Sequence, residues 1–320
     1  MVFVSLTIIC IIMDWVSFTM KARDPYEAIE LLGLPPDLFW VAGRGKHGYR
    51  KCLRALGISV CFDGQANMGV WVEMTGEGCR AFEELSQIGW DALLRRLCQP
   101  DINVTRLDIA GDDREGILNM DRMLRDVRSG NVVSRFRSRK VILAYKGDTP
   151  CGMTLYFGSA QSKAAIRIYD KAAERNLGAG THWIRCELQL RDERAAEFLR
   201  KMCASSLGVI YTGALAAYLR FVAPSKTDSN KSRSPTRRYW TRFLNNAASI
   251  SLFTAAGLEY TEERCRNYVV NQAGNAIDAM LKIHGEKGLL DLIEHRRTQP
   301  NPKYDKMVEQ YRQTKGRSIP

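Results

Sequence analysis

The stretch Ala165-Ile166-Arg167-Ile168-Tyr169-Asp170-Lys171 places a phenol hydroxyl among cations. On a β-strand, alternate side chains point to opposite faces, so Arg167, Tyr169 and Lys171 share one face and Ile166 and Ile168 the other. A tyrosine hydroxyl has an ordinary pKa of about 10 and needs neighbouring cations or a metal ion to act as a nucleophile at neutral pH. Arg167 and Lys171 could favour the phenolate and also pair with a phosphate. Two further stretches supply acids. In Thr105-Arg106-Leu107-Asp108-Ile109-Ala110-Gly111-Asp112-Asp113, residues Arg106, Asp108, Ala110 and Asp112 fall on one strand face. In Trp183-Ile184-Arg185-Cys186-Glu187-Leu188-Gln189-Leu190-Arg191, the apolar face of Ile184, Cys186, Leu188 and Leu190 backs a polar face of Arg185, Glu187, Gln189 and Arg191. Either strand alone reads as a sheet with one wet side. Together, Asp108 and Glu187 could hold a hard divalent cation, Mg²⁺ or Mn²⁺, through oxygen. Such an ion polarises a phosphate and stabilises a departing oxygen. Attack by Tyr169 on DNA would then break a strand and leave a covalent phosphotyrosine.

The elements that position these groups can be read from patterning. Asp14 to Met20 reads as a strand, and Asp24-Pro25 as an N-cap with proline at the first helical position, opening a short helix that stops near Gly33. Ile58–Phe62 and Met68–Met74 form a hairpin pattern around Asp63-Gly64. Val141–Tyr145 and Met153–Phe157 form a second around Gly147-Asp148. Gly64 and Gly69 match Gly147 and Gly152 in separation. This echo, at about 83 residues, points to an internal duplication and two facing βαβ-like halves. Met120, Met123, Leu124 and Val127 repeat at helical spacing, as core residues do. The chain divides into an apolar extension (1–12), a catalytic region (13–222), a polar linker or mobile loop (223–235), a helical C-terminal region (236–300) and a polar tail (301–320). The class is α+β.

Net charge is +12, which points to a polyanionic partner. Nine cysteines, an odd number without a C-x-x-C pair, exclude a disulfide framework and a zinc ribbon. They fit a reducing cytoplasm. Residues 1–12 are too few to span a bilayer and lack a basic n-region. Gly43 to Lys51 is a glycine-rich basic loop without P-loop order; it reads either as a loose phosphate contact or as a solvated loop.

Three blocks together resemble the Rep-trans family of rolling-circle replication initiators: Thr105 to Asp113, then Leu155-Tyr156-Phe157-Gly158-Ser159-x-x-Ser162-Lys163-x-x-Ile166-Arg167-Ile168-Tyr169-Asp170-Lys171, then Trp183-Ile184-Arg185-x-Glu187-Leu188. The resemblance runs over roughly residues 14 to 200. It implies a core like the HUH endonucleases, an antiparallel sheet with helices on one side. Tyr169 would be the nicking nucleophile, with Asp108 and Glu187 as metal ligands and Asp14 as a third acid near the site. Asp14 also reads simply as a strand-edge residue, and Asp112 either ligates or caps a strand end. The reaction implied is nicking of origin DNA, double-stranded with a single-stranded or hairpin nick site, with a 5′-phosphotyrosine link, a free 3′-OH and later rejoining. It would take place in a bacterial cytoplasm, with a helicase, a polymerase and a second copy of the chain as partners. One departure is plain: His47, His182, His284 and His295 are scattered, and no His-hydrophobic-His strand exists.

Two basic clusters flank these blocks. Arg135, Arg137, Arg139 and Lys140 lead the first and read as a phosphate track. Arg237 and Arg238 belong to the second, where Tyr239 and Trp240 either stack on unpaired bases or anchor a core. A non-catalytic nucleic-acid-binding protein of a mobile element remains the rival reading. A membrane-associated protein using residues 1–12 is a third. A tyrosine recombinase lacks its Arg…His-x-x-Arg…Tyr pattern here.

Overall fold

The computed structural model describes residues 10–248 apart from 22, 23, 160, 179, 203 and 225–227, then 262, 265, 266, 269–297 and a few positions between 305 and 312. Residues 1–9 of the apolar extension and most of the polar tail lie outside this range. The chain forms two units, residues 1–257 and 258–320, each considered by itself.

The first unit is built on a ten-stranded sheet. In chain order its strands are β1 (Cys10–Met20), β2 (Trp40–Ala42), β3 (Lys51–Ala55), β4 (Ile58–Phe62), β5 (Val70–Met74), β6 (Ile102–Asp113), β8 (Arg139–Lys146), β9 (Thr149–Phe157), β10 (Ala164–Asp170) and β11 (Ile184–Arg191). Short strands β7 (Val132–Ser134) and β12 (Leu219–Phe221) pair separately. The spatial order is β2-β3-β4-β5-β1-β6-β11-β10-β9-β8, and each pair in the register is antiparallel. β1 begins at Cys10 rather than near Asp14, with Ile11, Ile12 and Met13 buried in its pairing with β6. The apolar residues 10–12 therefore belong to the sheet core.

The expected duplication is present, in a different register. β1 and β6 lie at the centre, and each is followed by four strands that run from an outer edge back toward it. In the first half, β1 leads to α1 (Pro25–Leu31), β2–β5 and α2 (Gly76–Leu85). In the second, β6 leads to α4 (Met120–Arg128), β8–β11 and α6 (Glu193–Met202). The hairpin β4–β5 thus corresponds to β10–β11, not to β8–β9 as the glycine spacing implied. The matched glycines are not equivalent: Gly69 sits at φ +67°, with a Cβ position 2.2 Å from the Met20 carbonyl, whereas Gly152 has ordinary backbone and a Cβ position in ordinary contact with Ala173 at 3.5 Å. Tight hairpins recruit glycine wherever they occur. Neither half is a βαβ unit, since every pairing is antiparallel.

One sheet face is apolar and covered by helices. Leu107, Ile109, Cys186, Leu188 and Leu190 are buried there. α7 (Leu207–Tyr218) packs so closely that the Tyr211 hydroxyl donates to the Cys186 carbonyl at 2.6 Å. α8 (Arg238–Ala248) closes the same side, with Trp240 and Phe243 fully buried and Trp240 Nε1 donating to the Leu219 carbonyl. The two ends of the segment 223–235 meet: Ala223 N donates to the Pro235 carbonyl, and Val222 bridges Thr236. Beyond it α8 packs against the sheet unit.

The second unit contains a π-helical turn (Val269–Ala273) and α9 (Gly274–Arg297), broken at Gly285, φ 68°. α3 (Trp90–Arg96) and α5 (Lys171–Glu174) complete the helices used below. Among the described residues no helix is long and apolar enough to cross a membrane.

Candidate active site

The opposite sheet face is polar, and the register sets its contents. Asp112 faces Arg185, Asp108 faces Gln189, and Arg106 faces Arg191 across β6 and β11. Arg167 faces Glu187, and Tyr169 faces Arg185, across β11 and β10. Period-two alternation puts these side chains on one face because their strands are backed by apolar residues on the other. Asp14 reaches the same place by a β-bulge. Met13 pairs with Ile109 and Trp15 with Asp108, leaving Asp14 as the extra residue. Bulges re-aim side chains in this way. Helix α2 holds the bulge, with Arg80 Nη2 donating to the Met13 carbonyl at 2.6 Å and Gly76 leaving room for the Asp14 carboxylate.

Asp108, Glu187, Asp112 and Asp14 each pair with an arginine. Arg106 donates to both oxygens of Asp108, at 2.9 and 2.5 Å, and Gln189 Nε2 donates to the same carboxylate at 3.2 Å. Arg167 Nη2 donates to Glu187 at 2.6 Å. Arg185 grips Asp112 with two bonds, at 2.7 and 2.8 Å, and reaches Asp14 at 3.0 Å. Arg185 is buried, so without both acids it would be a bare charge in the interior. Its place on the polar face was legible in the sequence, but its role as the hub between β1, β6 and β10 was not, because that role depends on strand order.

Tyr169 lies at the end of β10. Arg167 stands 4.6 Å and Lys171 5.4 Å from its ring centroid. The hydroxyl is buried and makes no hydrogen bond. Burial raises its pKa, the Glu187 carboxylate adds to the rise, and Arg185 and Arg167 oppose it. The sequence expectation that flanking cations favour the phenolate is therefore outweighed by desolvation in this closed arrangement. Lys171 does not continue the strand. Asp170 accepts from Ala173 N as an N-cap, so Lys171 opens α5 and its buried ammonium pairs with Glu174. Burial, then Arg185, lowers the Lys171 pKa.

Glu187 is the acid most affected by its surroundings. Burial pushes its carboxyl up to about 7; Arg167 pulls the other way, and Asp108 and Asp14 add to the rise. Asp14, Asp108 and Glu187 are thus near enough to repel one another, and as hard oxygen donors they suit Mg²⁺ or Mn²⁺. Both oxygens of Asp112 are held by Arg185, as both oxygens of Asp108 are held by Arg106. Among the described residues no three ligating side chains are already gathered about one point. Asp113 faces the other way and organises a turn, accepting from Glu115 N, Leu118 N and His182.

The basic clusters divide. Arg135, Arg137, Arg139 and Lys140 are exposed. Arg237 is used internally: it donates to both oxygens of buried Asp126, which the Tyr239 hydroxyl also contacts at 3.0 Å. Arg238 is exposed, whereas Tyr239 and Trp240 are core residues, so neither aromatic is free to stack on a base.

An antiparallel sheet that presents a strand-end tyrosine among arginines and acids has the architecture of a protein that acts on phosphodiesters. Comparison with known proteins narrows the class. The family described as replication initiation factor matches residues 102–293, and that described as the rolling circle replication initiation protein N-terminal domain matches residues 10–95. The break between them falls just before β6, where the second half of the fold begins. A solved rolling circle replication initiator protein from Geobacillus stearothermophilus is 32% identical, with a TM-score of 0.73 over 77% of this chain and 98% of that one. A Bacillus subtilis (strain 168) protein named "Putative DNA relaxase NicK" is 26% identical over 93% of this chain and 88% of its own length. The chain belongs to the replication initiation factor family.

Proposed function

We propose that this protein is a rolling-circle replication initiator that binds an origin and nicks one DNA strand through Tyr169. The observation that carries the reading is the Tyr169 hydroxyl, buried without a partner and surrounded by Arg167, Arg185 and Lys171. Buried polar atoms are satisfied unless something else uses them. In the reaction, Tyr169 Oη bonds to phosphorus as the bond from phosphorus to the 3′ oxygen breaks. The leaving oxygen takes a proton, giving a free 3′-OH and a 5′-phosphotyrosine. Rejoining is the same exchange in reverse. Arg167 and Lys171 attract the scissile phosphate and stabilise the charge that builds on it, while the phenol gives up its proton, which the departing 3′ oxygen takes up by way of solvent. Asp108, Glu187 and Asp14 would hold Mg²⁺ or Mn²⁺, which supplies Lewis-acid polarisation of the phosphate. Exposed Arg135, Arg137, Arg139, Lys140 and Arg238 bind backbone phosphates outside the site. A bacterial helicase and polymerase use the nicked origin in the cytoplasm, and a second copy of the chain acts with the first; the family resemblance is what supports these partners. The test is nicking of supercoiled origin DNA by wild-type and Tyr169→Phe protein with Mg²⁺ or Mn²⁺. Loss of nicking in the variant supports the reading. Unchanged nicking overturns it in favour of another nucleophile, and wild-type binding without nicking favours a non-catalytic role.

A further inference from the structure

The first half of the sheet holds two thiols that the phosphodiester chemistry does not use. Cys52 on β3 and Cys61 on β4 stand directly opposite each other in the register. Opposed residues of antiparallel strands have Cα atoms about 4.5–5.5 Å apart, within the span that a disulfide bridges. The two sulfurs lie 2.9 Å apart, with Cys61 Sγ donating to Cys52 Sγ, and both residues are fully buried thiols. Cys61 faces Trp71 two residues along from the Ser59–Glu73 pair. In the second half, Tyr169 faces Arg185 two residues along from the Arg167–Glu187 pair. A cysteine thus holds in the first half the place that Tyr169 holds in the second. Tyr49 and Trp71 complete the buried cluster, and Ala42 and Met68 pack against it. The loops 43–50 and 63–69 meet where the Tyr49 hydroxyl donates to the Met68 carbonyl at 2.9 Å. Arg44, His47, Gln65 and Asn67 on these loops are exposed. Exposed loops open locally at low cost, which admits a reagent as small as hydrogen peroxide. The bond from Cys61 pulls the Cys52 thiol below its usual range against burial, and Arg54 and Lys46 assist. The same bond, then burial, pushes Cys61 up. Cys52 is therefore the thiolate that attacks and Cys61 the thiol that resolves.

We propose that Cys52 and Cys61 are a reversible oxidation site for hydrogen peroxide, closing to a disulfide within the chain across β3 and β4. The Cys52 thiolate attacks one peroxide oxygen and the O–O bond breaks. The departing hydroxide takes up the proton that Cys52 had released and leaves as water, and Cys52 becomes a sulfenic acid. The Cys61 sulfur then displaces that hydroxyl, which leaves with the Cys61 proton as a second water. Two thiols lose two electrons, and one peroxide gains them. A dithiol reductant restores both thiols by exchange. In a reducing compartment the pair rests as thiols, as it stands in the structure. Five strand spacings separate β4 from β10, roughly 24 Å of sheet, so this site is distinct from Tyr169.

The test exposes the full chain, reduced and then freed of reductant, to hydrogen peroxide. Catalase ends the exposure, and the protein is denatured with N-ethylmaleimide present and digested with trypsin without reduction. The expected result is loss of label at both Cys52 and Cys61. A peptide of residues 52–54 should be joined to one of residues 55–80, two hydrogens lighter than the two together, with Cys79 in it still labelled. Dithiothreitol before labelling is expected to return both labels. In Cys61→Ala protein the disulfide cannot form, and dimedone added with the peroxide is expected to mark Cys52 as the sulfenic acid. Full labelling of Cys52 and Cys61 at a peroxide dose that oxidises exposed Cys151 overturns the proposal. So does a disulfide that joins either residue to a different cysteine. Absence of the dimedone mark from Cys52 in the variant overturns its role as the attacking sulfur. The wild-type measurement stands even where the variant folds poorly, and none of these outcomes depends on whether Tyr169 is the nucleophile.

Discussion

Tyr169 gives up a hydrogen bond that a structural tyrosine would make. Removing the hydroxyl removes an unsatisfied buried group, so Tyr169→Phe is expected to be as stable as wild type or more stable by about 1 kcal/mol. Denaturant unfolding of both proteins checks this, and a large loss of stability would show the hydroxyl to be structural. Glu187 sets a pH dependence. Its carboxyl is raised to about 7 in the fold, mainly by burial, above the ordinary value of about 4.3. Between those values the folded chain holds a proton that the unfolded chain has lost. Its contribution to stability is therefore largest at the acid end and is lost as pH rises through about 7, by at most about 1.4 kcal/mol per pH unit. Denaturation at pH 5 and pH 7 should show that slope in wild type and a flatter one in Glu187→Gln. Any step that needs the Glu187 carboxylate should speed up over the same rise. At this scale the sequence was informative where alternation decides: Asp108, Asp112, Arg167, Tyr169, Arg185 and Glu187 do share one face. It misled at Lys171, where Asp170 followed by Lys171-Ala172-Ala173-Glu174 is also an N-cap signature and a helix begins.

The elements carry a different kind of constraint. α7 approaches the sheet over Gly111, where a Cβ would lie 2.9 Å from the Tyr211 hydroxyl and 3.3 Å from Phe243. Gly111→Ala is expected to destabilise the fold by about 1–3 kcal/mol, seen as a lower denaturation midpoint with an unchanged slope. α8 separates two neighbouring arginines that the sequence could not tell apart. Arg237→Ala leaves the buried Asp126 carboxylate with the Tyr239 hydroxyl alone and should cost about 1–3 kcal/mol. Arg238→Ala should leave stability within about 0.5 kcal/mol and reduce the salt dependence of DNA binding. Thermal unfolding and binding titrations over a salt series distinguish the two. Aromatics among cations have the same sequence pattern whether they stack on bases or close a core. Only packing against Leu219 and Phe221 assigns Trp240 to the core.

The whole first unit reads as one plan used twice, joined at β1 and β6. The α+β class was legible from the patterning, whereas the antiparallel sheet came from the family resemblance and the patterning alone suggested βαβ-like halves. Strand order was not legible, because the pairing of β1 with β6 and of β6 with β11 joins segments far apart in sequence. That order creates the site: it brings Asp14 of the first half to Arg185 of the second. The same order puts Tyr169 next to the acids instead of on a distant hairpin. The central claim is that this assembled face uses Tyr169 to take one DNA strand covalently. The most direct measurement is to incubate the full chain with supercoiled origin DNA and Mg²⁺ or Mn²⁺, digest the protein and locate the DNA-bearing peptide by mass spectrometry. The account predicts a nucleotide joined through its 5′ phosphate to Tyr169, in the peptide containing Ile168 and Asp170. An adduct on Tyr156 or another residue, or nicked DNA with no adduct, would contradict it.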